Sequence, residues 1–383
     1  MTRVAHLTTV HSPFDNRILE RECRTLAEAG YEVVLVAGHP RDEVIAGVRL
    51  RGVCWPRGRV ARMSLGVLRV LAAALAERPA VFHFHDPELI PAGLFLRLLR
   101  RRVIYDVHED YATALLEREY LPPRWRPFLS RFLARIEGWC GRWFELVLAE
   151  RYYAERFPRG TLVLNYVRFP ETGDAELEAR PRAPGVRLLY TGNVKEYRGA
   201  FLHARLLNLL PEARVHLVGR CSPELAEVLQ RSVAGHEERL HLEGIGYLVP
   251  HARIREVYLS EEWTAGLALF PRRAHTARKE LTKIFEYMAY GIPVLASDLP
   301  GLRGIIETER CGICVDPEDP QAAAEAVRWL AGHPEEAKAM GSRGREAART
   351  RYSWEGEGAR LVALYARLCS GSDPAGNSSS TSR

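Results

Sequence analysis

Long apolar segments are missing from this chain of 383 residues, and so are the glycine motifs of several large enzyme families. No run approaches the roughly 18 apolar residues that a membrane-spanning helix needs. No Walker A motif and no G-x-S-x-G motif is present, and no G-x-G-x-x-G follows the first predicted strand. These absences disfavour P-loop enzymes, serine hydrolases and nicotinamide-dependent dehydrogenases.

Cysteine is scattered: there are seven, and only Cys311 and Cys314 form a C-x-x-C. Without a second pair, this spacing does not predict a zinc site. We expect most of the thiols to be buried and reduced. The opening MTRVAHLTTVHSP lacks a long apolar segment and a cleavage site, so no signal peptide is predicted. We therefore expect a cytoplasmic protein that at most rests on the inner face of the membrane.

The chain is basic, with a net charge of +6 and a pI of about 9.0. A positive surplus favours phosphate groups, nucleic acid or an acidic membrane surface as partners, although arginine spread over helices is also typical of a solvated surface. No helix-turn-helix, RNP-type or zinc pattern accompanies the charge, so we expect no nucleic-acid partner.

Short apolar runs alternate with helical patterns in both halves, which predicts the α/β class with two doubly wound, Rossmann-like domains. The predicted divisions are an N-terminal domain at 1–168, a linker at 169–184, a C-terminal domain at 185–352, a final helix at 353–370 and a disordered tail at 371–383. Ligands of such sheets bind beyond the carboxyl ends of the strands, so we expect the chemistry in a central cleft that the two domains face.

A long helical region is predicted over residues 121–150, with aromatic and aliphatic side chains at a period of 3.6 and arginines on the opposite face. A helix of this kind can pack against its own core or lie on a membrane surface. The sequence leaves both alternatives open.

The segment TGNVKEYRG places Gly192 after a predicted strand, with Lys195 and Arg198 before the next helix. A glycine turn with two cations near a helix N-terminus suits a diphosphate. An exposed charged loop is the alternative. In the segment LTKIFEYMAYGIPV, Glu286 lies off the apolar face of a helix that ends before Gly291. Its carboxylate could accept hydrogen bonds from the hydroxyls of a ribose, or it could be an ordinary exposed glutamate.

Polar residues cluster after two neighbouring predicted strands. They are His83, His85, Asp86, His108, Glu109 and Asp110. The spacing fits a metal site poorly, so no metal ligand is predicted. Hydrogen bonding to a polyol substrate, or acid–base chemistry, is the expected role.

Several segments together resemble the retaining nucleotide-sugar glycosyltransferases of the GT-B fold, family four, over residues 3–369. The segments are HSPFDNRILERECRTLAEAGYEVVLVA, HFHDPELIPAGL, VIYDVHEDY, TGNVKEYRG and KIFEYMAYGIPVLASDLPG. YSWEGEGARLVALYARL is similar to the terminal helix that crosses back onto the N-terminal domain in that family. The resemblance implies a metal-independent hexosyltransferase with no cofactor. It would use a nucleoside-diphosphate sugar, UDP- or GDP-linked, as co-substrate.

The resemblance also implies roles for particular residues. Glu286 would bind the donor ribose, Arg198 the donor diphosphate, and His108 the transferred sugar near the reacting centre. Arg198, Lys195 and His108 are thus the implied catalytic residues. The donor-binding set is completed by Gly192, Asn193, Leu281, Thr282 and Lys283.

Three positions depart from the family pattern. Arg278 stands where the first glutamate of a pair is expected, and Glu280 is the nearest replacement. Asn193 replaces the usual arginine of the phosphate turn, which leaves Lys195 as the second cation. The first loop lacks the usual glycines, so the acceptor-side candidates become Asp15, Arg17, His85, Asp86 and Glu109.

The resulting hypothesis is transfer of a sugar to an acceptor hydroxyl with retention of configuration, in glycan, polysaccharide or glycolipid synthesis. The acceptor would be a glycan or a lipid-linked molecule, with a membrane surface as a further partner. Two alternatives remain: a sugar-nucleotide epimerase of the same fold, and a non-catalytic nucleotide-sugar-binding partner of another transferase.

Overall fold

The computed structural model describes residues 1–55, 58, 61–116 and 121–370. The chain forms two compact units. Unit 1 comprises residues 1–165 and the helix Trp354–Ser370, and unit 2 comprises residues 166–353. The tail at 371–383, which was expected to be disordered, lies outside the described residues.

Unit 1 is built on a sheet of eight strands, numbered along the chain. They are β1 (Arg3–Leu7), β2 (Glu32–Gly38), β3 (Glu43–Ile45), β4 (Val48–Val53), β5 (Val81–Phe84), β6 (Arg102–Val107), β7 (Glu145–Leu148) and β8 (Thr161–Leu162). Their order across the described sheet is β3-β4-β2-β1-β5-β6-β7-β8. Only the pairing of β3 with β4 is antiparallel among these.

Helices flank this sheet, and two of them begin with a π-helical segment. The α-helices are Arg24–Glu28, Val67–Ala76, Ile90–Leu98, Tyr111–Leu116, Arg126–Cys140 and Trp354–Ser370, and the π-helical segments are Asn16–Cys23 and Arg62–Gly66. The segment DNRILERECRTLAEAG predicts a helix with Asp15 as its N-cap, and this cap is confirmed, because the Asp15 side chain accepts from the N–H groups of Arg17 and Ile18. The central strands are buried along nearly their whole length, as their continuous apolar runs predict.

Unit 2 repeats this architecture with a fully parallel sheet. Its strands are β9 (Val186–Thr191), β10 (Ala213–Cys221), β11 (Leu240–Ile245), β12 (Ala265–Ala268), β13 (Val294–Ser297) and β14 (Gly312–Val315), in the order β11-β10-β9-β12-β13-β14. Its α-helices are Asp174–Glu178, Ala200–Arg205, Pro223–Ser232, His251–Ser260, Thr282–Ala289, Pro300–Glu309, Pro320–Gly332 and Pro334–Thr350.

The expected α/β class with two doubly wound sheets is confirmed, but the helical region predicted over 121–150 is wrong at its end. The helix Arg126–Cys140 stops there, and residues 145–148 form β7 beside β6. All seven cysteines are free. In the portion of the chain that is described, no helix is sufficiently long and apolar to cross a bilayer.

The apolar stripe of the helix Arg126–Cys140 faces solvent instead of a core. Its exposed members, with the flanking residues, are Trp125, Phe128, Phe132, Ile136, Trp139 and Trp143. Arg124, Arg131, Arg135 and Arg142 are exposed beside them. The sequence left open whether this helix packs against the core of its own domain or lies on a membrane surface. For this face of the helix, packing against the core is therefore wrong.

Candidate functional site

The connections of unit 2 reverse direction between β9 and β12, which are neighbours in its sheet. In doubly wound sheets such a switch point, at the carboxyl ends of the strands, is where ligands bind. The predicted glycine turn follows β9 directly and therefore lies at this point.

Gly192 starts that turn with a φ of +102°, a conformation that favours glycine. Its N–H donates to the carbonyl of Val218 at 2.9 Å. On the neighbouring strand, a Cβ on Gly219 would lie 2.0 Å from the Gly192 carbonyl oxygen. The two glycines thus allow the backbones to approach closely and leave these two positions without side chains.

Lys283 reaches this turn from the helix Thr282–Ala289. Its Nζ donates to the Thr191 carbonyl at 2.9 Å and lies 4.0 Å from the centre of the Tyr190 ring. A Cβ on Gly192 would be 3.6 Å from the same Nζ. Burial and the nearby charge of Arg198 lower the pKa of Lys283 to about 7, against a smaller opposing effect of Glu286. The Lys283 amine at the turn is therefore suited to an anion when it is protonated, and only part of the population is protonated near neutral pH.

Arg198 and Lys195 flank the turn on its other side, both half-buried, while Asn193 is exposed. Burial raises the pKa of Tyr190 to about 12, and the charge and hydrogen bond of Arg198 oppose this effect. Arg198 thus lies beside Tyr190 and near Lys283. The charge of Lys195 instead acts on Cys221, at the end of β10. Arg198 and Lys283 thus lie near each other, whereas Lys195 lies towards the end of β10.

Glu286 is half-buried on the same helix as Lys283 and is tied to the end of β9. Tyr258 donates its hydroxyl to Glu286 Oε2 at 3.0 Å, and the same hydroxyl lies 2.7 Å from Thr191 Oγ1. Tyr287 accepts the N–H of Thr191 at 3.2 Å. Tyr258 and Tyr287 were not among the predicted site residues, because nothing in their local sequence marks them.

The helix carrying these side chains begins at Thr282, with Leu281 at its N-cap position and no side-chain cap. Its first N–H groups are therefore suited to a ligand anion. Arg278 is exposed in the preceding loop. Glu280 instead faces inwards within unit 2, where its carboxylate lies 3.4 Å from the Tyr166 hydroxyl.

Unit 1 has its own switch point, between β1 and β5, where Asp86 is wholly buried. Its Oδ2 accepts from Thr8 Oγ1 at 2.8 Å and from the N–H groups of Thr9 and Val10 at 2.6 and 3.2 Å. Through these hydrogen bonds, Asp86 holds the loop after β1 in place. Asp15 lies farther along that loop and caps the following helix.

Asp106, near the end of β6, is the centre of a second buried cluster. Arg17 donates Nη2 to its Oδ1 at 2.7 Å and Nε to its Oδ2 at 3.0 Å. His85 Nδ1 and His108 Nδ1 lie 3.0 and 2.9 Å from Oδ2. Burial opposes ionisation, yet the charges of Arg17 and His108 and these hydrogen bonds hold the pKa of Asp106 well below its usual range.

His108 is the member of this cluster nearest to the end of the strand. Burial would lower its pKa, but the Asp106 carboxylate overcomes this effect and raises it to about 9. Its Nε2 lies 2.9 Å from His11 Nε2. Half-buried Glu109 follows it and adds a smaller effect of the same sign. The structure therefore joins the predicted Arg17, His85 and His108 through a residue that the sequence did not single out.

Two overlapping sets in this unit have atoms close enough to hold a cation: His6, Glu22, His83 and His85, and His85, Asp106 and His108. The ring nitrogens of His6 and His85 already have hydrogen-bonding neighbours. His83 Nε2 and Glu22 Oε2 are buried without a hydrogen-bond partner in the described part of the chain, and the absence of a metal stays a prediction.

Two known protein families together match most of the chain. A family described as glycosyl transferases group 1 matches residues 186–347, and one described as glycosyl transferase 4-like domain matches residues 16–150. The curated D-rhamnosyltransferase WbpZ of Pseudomonas aeruginosa is 27% identical over 286 residues, which are 73% of this chain and 71% of that protein.

Solved structures of similar fold cover nearly the whole chain. Sucrose-phosphate synthase from Thermosynechococcus elongatus superimposes with a TM-score of 0.75 at 18% identity, covering 97% of this chain and all of that one. Anabaena HepE, solved in complex with UDP-glucose, gives a TM-score of 0.70 at 12% identity, covering 96% and 100%. At these identities the likeness concerns the fold alone.

Proposed function

The chain belongs to the group 1 glycosyltransferases of the GT-B fold, and from this premise we propose that unit 2 binds the diphosphate of a nucleotide-sugar donor at the Gly192 turn. The observation that carries the proposal is the approach of Arg198 and Lys283 to a glycine turn at the switch point of the sheet. A nucleoside diphosphate leaves with growing negative charge. Preorganised cations and N–H groups stabilise that charge.

Individual residues receive roles within this site. Arg198 and Lys283 contact the phosphates, with N–H groups of the Gly192–Asn193 turn and of Leu281 and Thr282. Glu286, which Tyr258 holds in place, binds the ribose hydroxyls. Lys195 is the outer cation. In unit 1, His108 binds the transferred sugar. We further propose that the anomeric configuration is retained, as the family resemblance implies.

A thermal-shift panel tests the donor site, using UDP-, GDP-, ADP- and TDP-sugars at saturating concentration. Mass action stabilises a protein by about 2.7 kcal/mol when the ligand is at 100 times its Kd. We expect one nucleotide class to raise the Tm of the wild type and the same ligand to leave Arg198→Ala unchanged. Arg205→Ala is the matched control, since Arg205 is exposed at the far end of the next helix. An undiminished shift in Arg198→Ala contradicts the diphosphate assignment.

Product analysis distinguishes transfer from the alternatives. The chosen donor is incubated with and without a panel of glycan and lipid-linked acceptors. A glycoside that forms only with acceptor supports transfer, and its anomeric coupling constant in proton NMR reports retention. An epimeric nucleotide sugar formed without acceptor would instead indicate an epimerase. Donor binding without any product would indicate a non-catalytic partner.

We also propose that unit 1 docks on an anionic bilayer through the exposed aromatic face of the helix Arg126–Cys140. Trp125, Phe128, Phe132, Trp139 and Trp143 are each about half exposed, between 49% and 58%. Such a continuous apolar stripe is unusual on a free surface. The exposed arginines beside it complement anionic lipid headgroups. A lipid-linked acceptor fits this surface.

Vesicle flotation tests the docking face. We expect the wild type to float with vesicles containing phosphatidylglycerol and to remain in solution with pure phosphatidylcholine. Replacing Trp125, Trp139 and Trp143 with serine should abolish flotation. Trp329→Ser is the control, because Trp329 is 38% exposed in unit 2. Equal flotation of the triple variant and the wild type contradicts the proposal.

A further inference from the structure

A tyrosine on the terminal helix inserts its hydroxyl between two histidine rings of unit 1. Tyr365 is wholly buried, and its Oη lies 3.0 Å from His6 Nε2 and 2.9 Å from His83 Nδ1. The register of β1 with β5 pairs His6 with His83, and His85 follows two residues later. Nothing in the proposed donor chemistry uses Tyr365.

The contacts continue from Tyr365 to the cluster around Asp106. His6 Nδ1 lies 3.0 Å from His85 Nε2, and His85 Nδ1 lies 3.0 Å from Asp106 Oδ2. The three histidines are wholly buried. We call the series Tyr365, His6, His85 and Asp106 the buried chain.

The charge of Asp106 fixes the direction of every hydrogen bond in the buried chain. A carboxylate only accepts, so His85 carries its proton on Nδ1 and accepts on Nε2. His6 must then donate from Nδ1 and accept on Nε2 from the Tyr365 hydroxyl. The oxygen of Tyr365 in turn accepts from His83 Nδ1. Burial lowers the pKa values of His6, His83 and His85, which keeps each ring neutral with one proton.

Other charged groups face the buried chain and His108. Glu22 places Oε2 3.8 Å from His6 Nδ1 and from His83 Nδ1, and Oε1 3.0 Å from Arg17 Nε. Asp106, Arg17 and Glu109 act on His108, and His11 touches its outer nitrogen. Asp106 contacts both His85 of the buried chain and His108 through the same oxygen, Oδ2.

We propose that Tyr365 is a positioning residue: its hydroxyl reinforces the tautomers of His6 and His85 that Asp106 dictates, and through Asp106 it helps to fix the orientation and charge of His108. The terminal helix thereby contributes to the acceptor-side unit without touching a substrate. The kinetic part of this inference rests on the proposed role of His108. The tautomer part does not.

Histidine ¹⁵N NMR tests the tautomers directly, with selectively labelled protein and assignment by single variants. In the wild type we expect His6 and His85 to be neutral with the proton on Nδ1, and His108 to be protonated at neutral pH. Tyr365→Phe removes the donor to His6 Nε2, so the ¹⁵N signal of this nitrogen should shift, and a minor form protonated on Nε2 should become populated beside the Nδ1–H form that Asp106 favours. An unchanged His6 pattern in Tyr365→Phe overturns the proposal whether or not the protein transfers sugar.

Kinetics separate positioning from a merely structural role. Tyr365→Phe loses two hydrogen bonds, of which only the one to His6 lies in the buried chain, and the loss of that one should lower kcat roughly fivefold with the donor KM unchanged. The alkaline limb of the pH–rate profile should move to lower pH, because a less ordered Asp106 supports the His108 charge less well. Trp354→Phe is the matched control: Trp354 is equally buried on the same helix, and its Nε1 donates to Thr25 Oγ1 at 2.8 Å, outside the buried chain. Equal pH profiles for both variants, at equal loss of stability, contradict the proposal.

Discussion

The two units place different chemistry at the same position of similar sheets. At the switch point of unit 1, buried acids, histidines and Arg17 pair with one another, although His83 Nε2 and Glu22 Oε2 have no hydrogen-bond partner among the described residues. At the switch point of unit 2, the Gly192 turn lies beside two cations, one of which is held by a backbone carbonyl and an aromatic ring. In the first arrangement most charged groups have partners of opposite charge within the protein, whereas the second has positive charge suited to an anionic ligand.

Because of this difference, we expect a cation to contribute mainly to stability in unit 1 and mainly to ligand binding in unit 2. In unit 1, a cation neutralises buried carboxylates, so its loss should damage the fold. In unit 2, a cation with a lowered pKa is tolerated by the fold, so its loss should damage binding. Equivalent substitutions in the two units should therefore have opposite consequences.

Arg17→Met should have the largest effect on stability. It removes the guanidinium that donates twice to buried Asp106 and lies beside Glu22, which leaves His108 as the remaining cation at Asp106, and breaking such a pair costs about 3–5 kcal/mol. Lys283→Met, the same kind of change in unit 2, removes a buried charge that the fold disfavours, so it should not lower the free energy of unfolding near pH 7 and should abolish the donor-induced Tm shift. Urea unfolding of both variants checks this contrast. Similar losses of stability would remove the distinction between the units.

Alanine substitutions at two glycines should distinguish Gly192, which we expect to affect donor binding, from Gly219, which supports the turn. A Cβ on Gly219 would meet the Gly192 carbonyl at 2.0 Å, so Gly219→Ala should cost more than about 2 kcal/mol. Gly192→Ala meets no such obstacle and should cost about 1 kcal/mol through its positive φ, while weakening donor binding.

Gly246→Ala is the control for backbone strain, since Gly246 has a φ of +80° and an added Cβ would have open space. It should match Gly192→Ala in stability and keep wild-type donor affinity. A binding loss in Gly246→Ala equal to that in Gly192→Ala would show that strain alone explains the effect.

Much of this arrangement could be predicted from the sequence, because it depends on local signals. The alternation of strands and helices, the cap at Asp15 and the glycine after β9 all follow from short segments. β7 was missed because ELVL is a four-residue apolar run that follows a long helical pattern with little punctuation. Asp106, Tyr258 and Tyr365 were missed because their importance comes from partners distant in the chain, 89, 28 and 359 positions away from Arg17, Glu286 and His6 respectively.

The pH dependence of stability should reflect the titration of Lys283 in unit 2. Its pKa of about 7 lies below its ordinary value of 10.5, so the unfolded chain holds more protons between these two pH values. Stability relative to Lys283→Met should therefore rise from pH 7 towards pH 10, by at most about 1.4 kcal/mol per pH unit. Below pH 7 the full cost of the buried charge is present in the wild type.

Donor affinity should change in the opposite direction, because a diphosphate prefers the charged lysine. We expect the Kd to increase as the pH rises above 7 in the wild type. Lys283→Arg stays charged and should show a flatter dependence. Calorimetric titrations at several pH values measure both curves, and parallel curves would contradict the role of Lys283.

The most direct test of the donor site compares a nucleoside diphosphate with its monophosphate by calorimetry, using the base selected in the thermal-shift panel. The account predicts that the diphosphate binds the wild type at least about tenfold more tightly, which corresponds to about 1.4 kcal/mol. This advantage should disappear in Arg198→Ala and in Lys283→Met, and persist in Arg205→Ala. Equal affinity of the two nucleotides for the wild type would contradict the account.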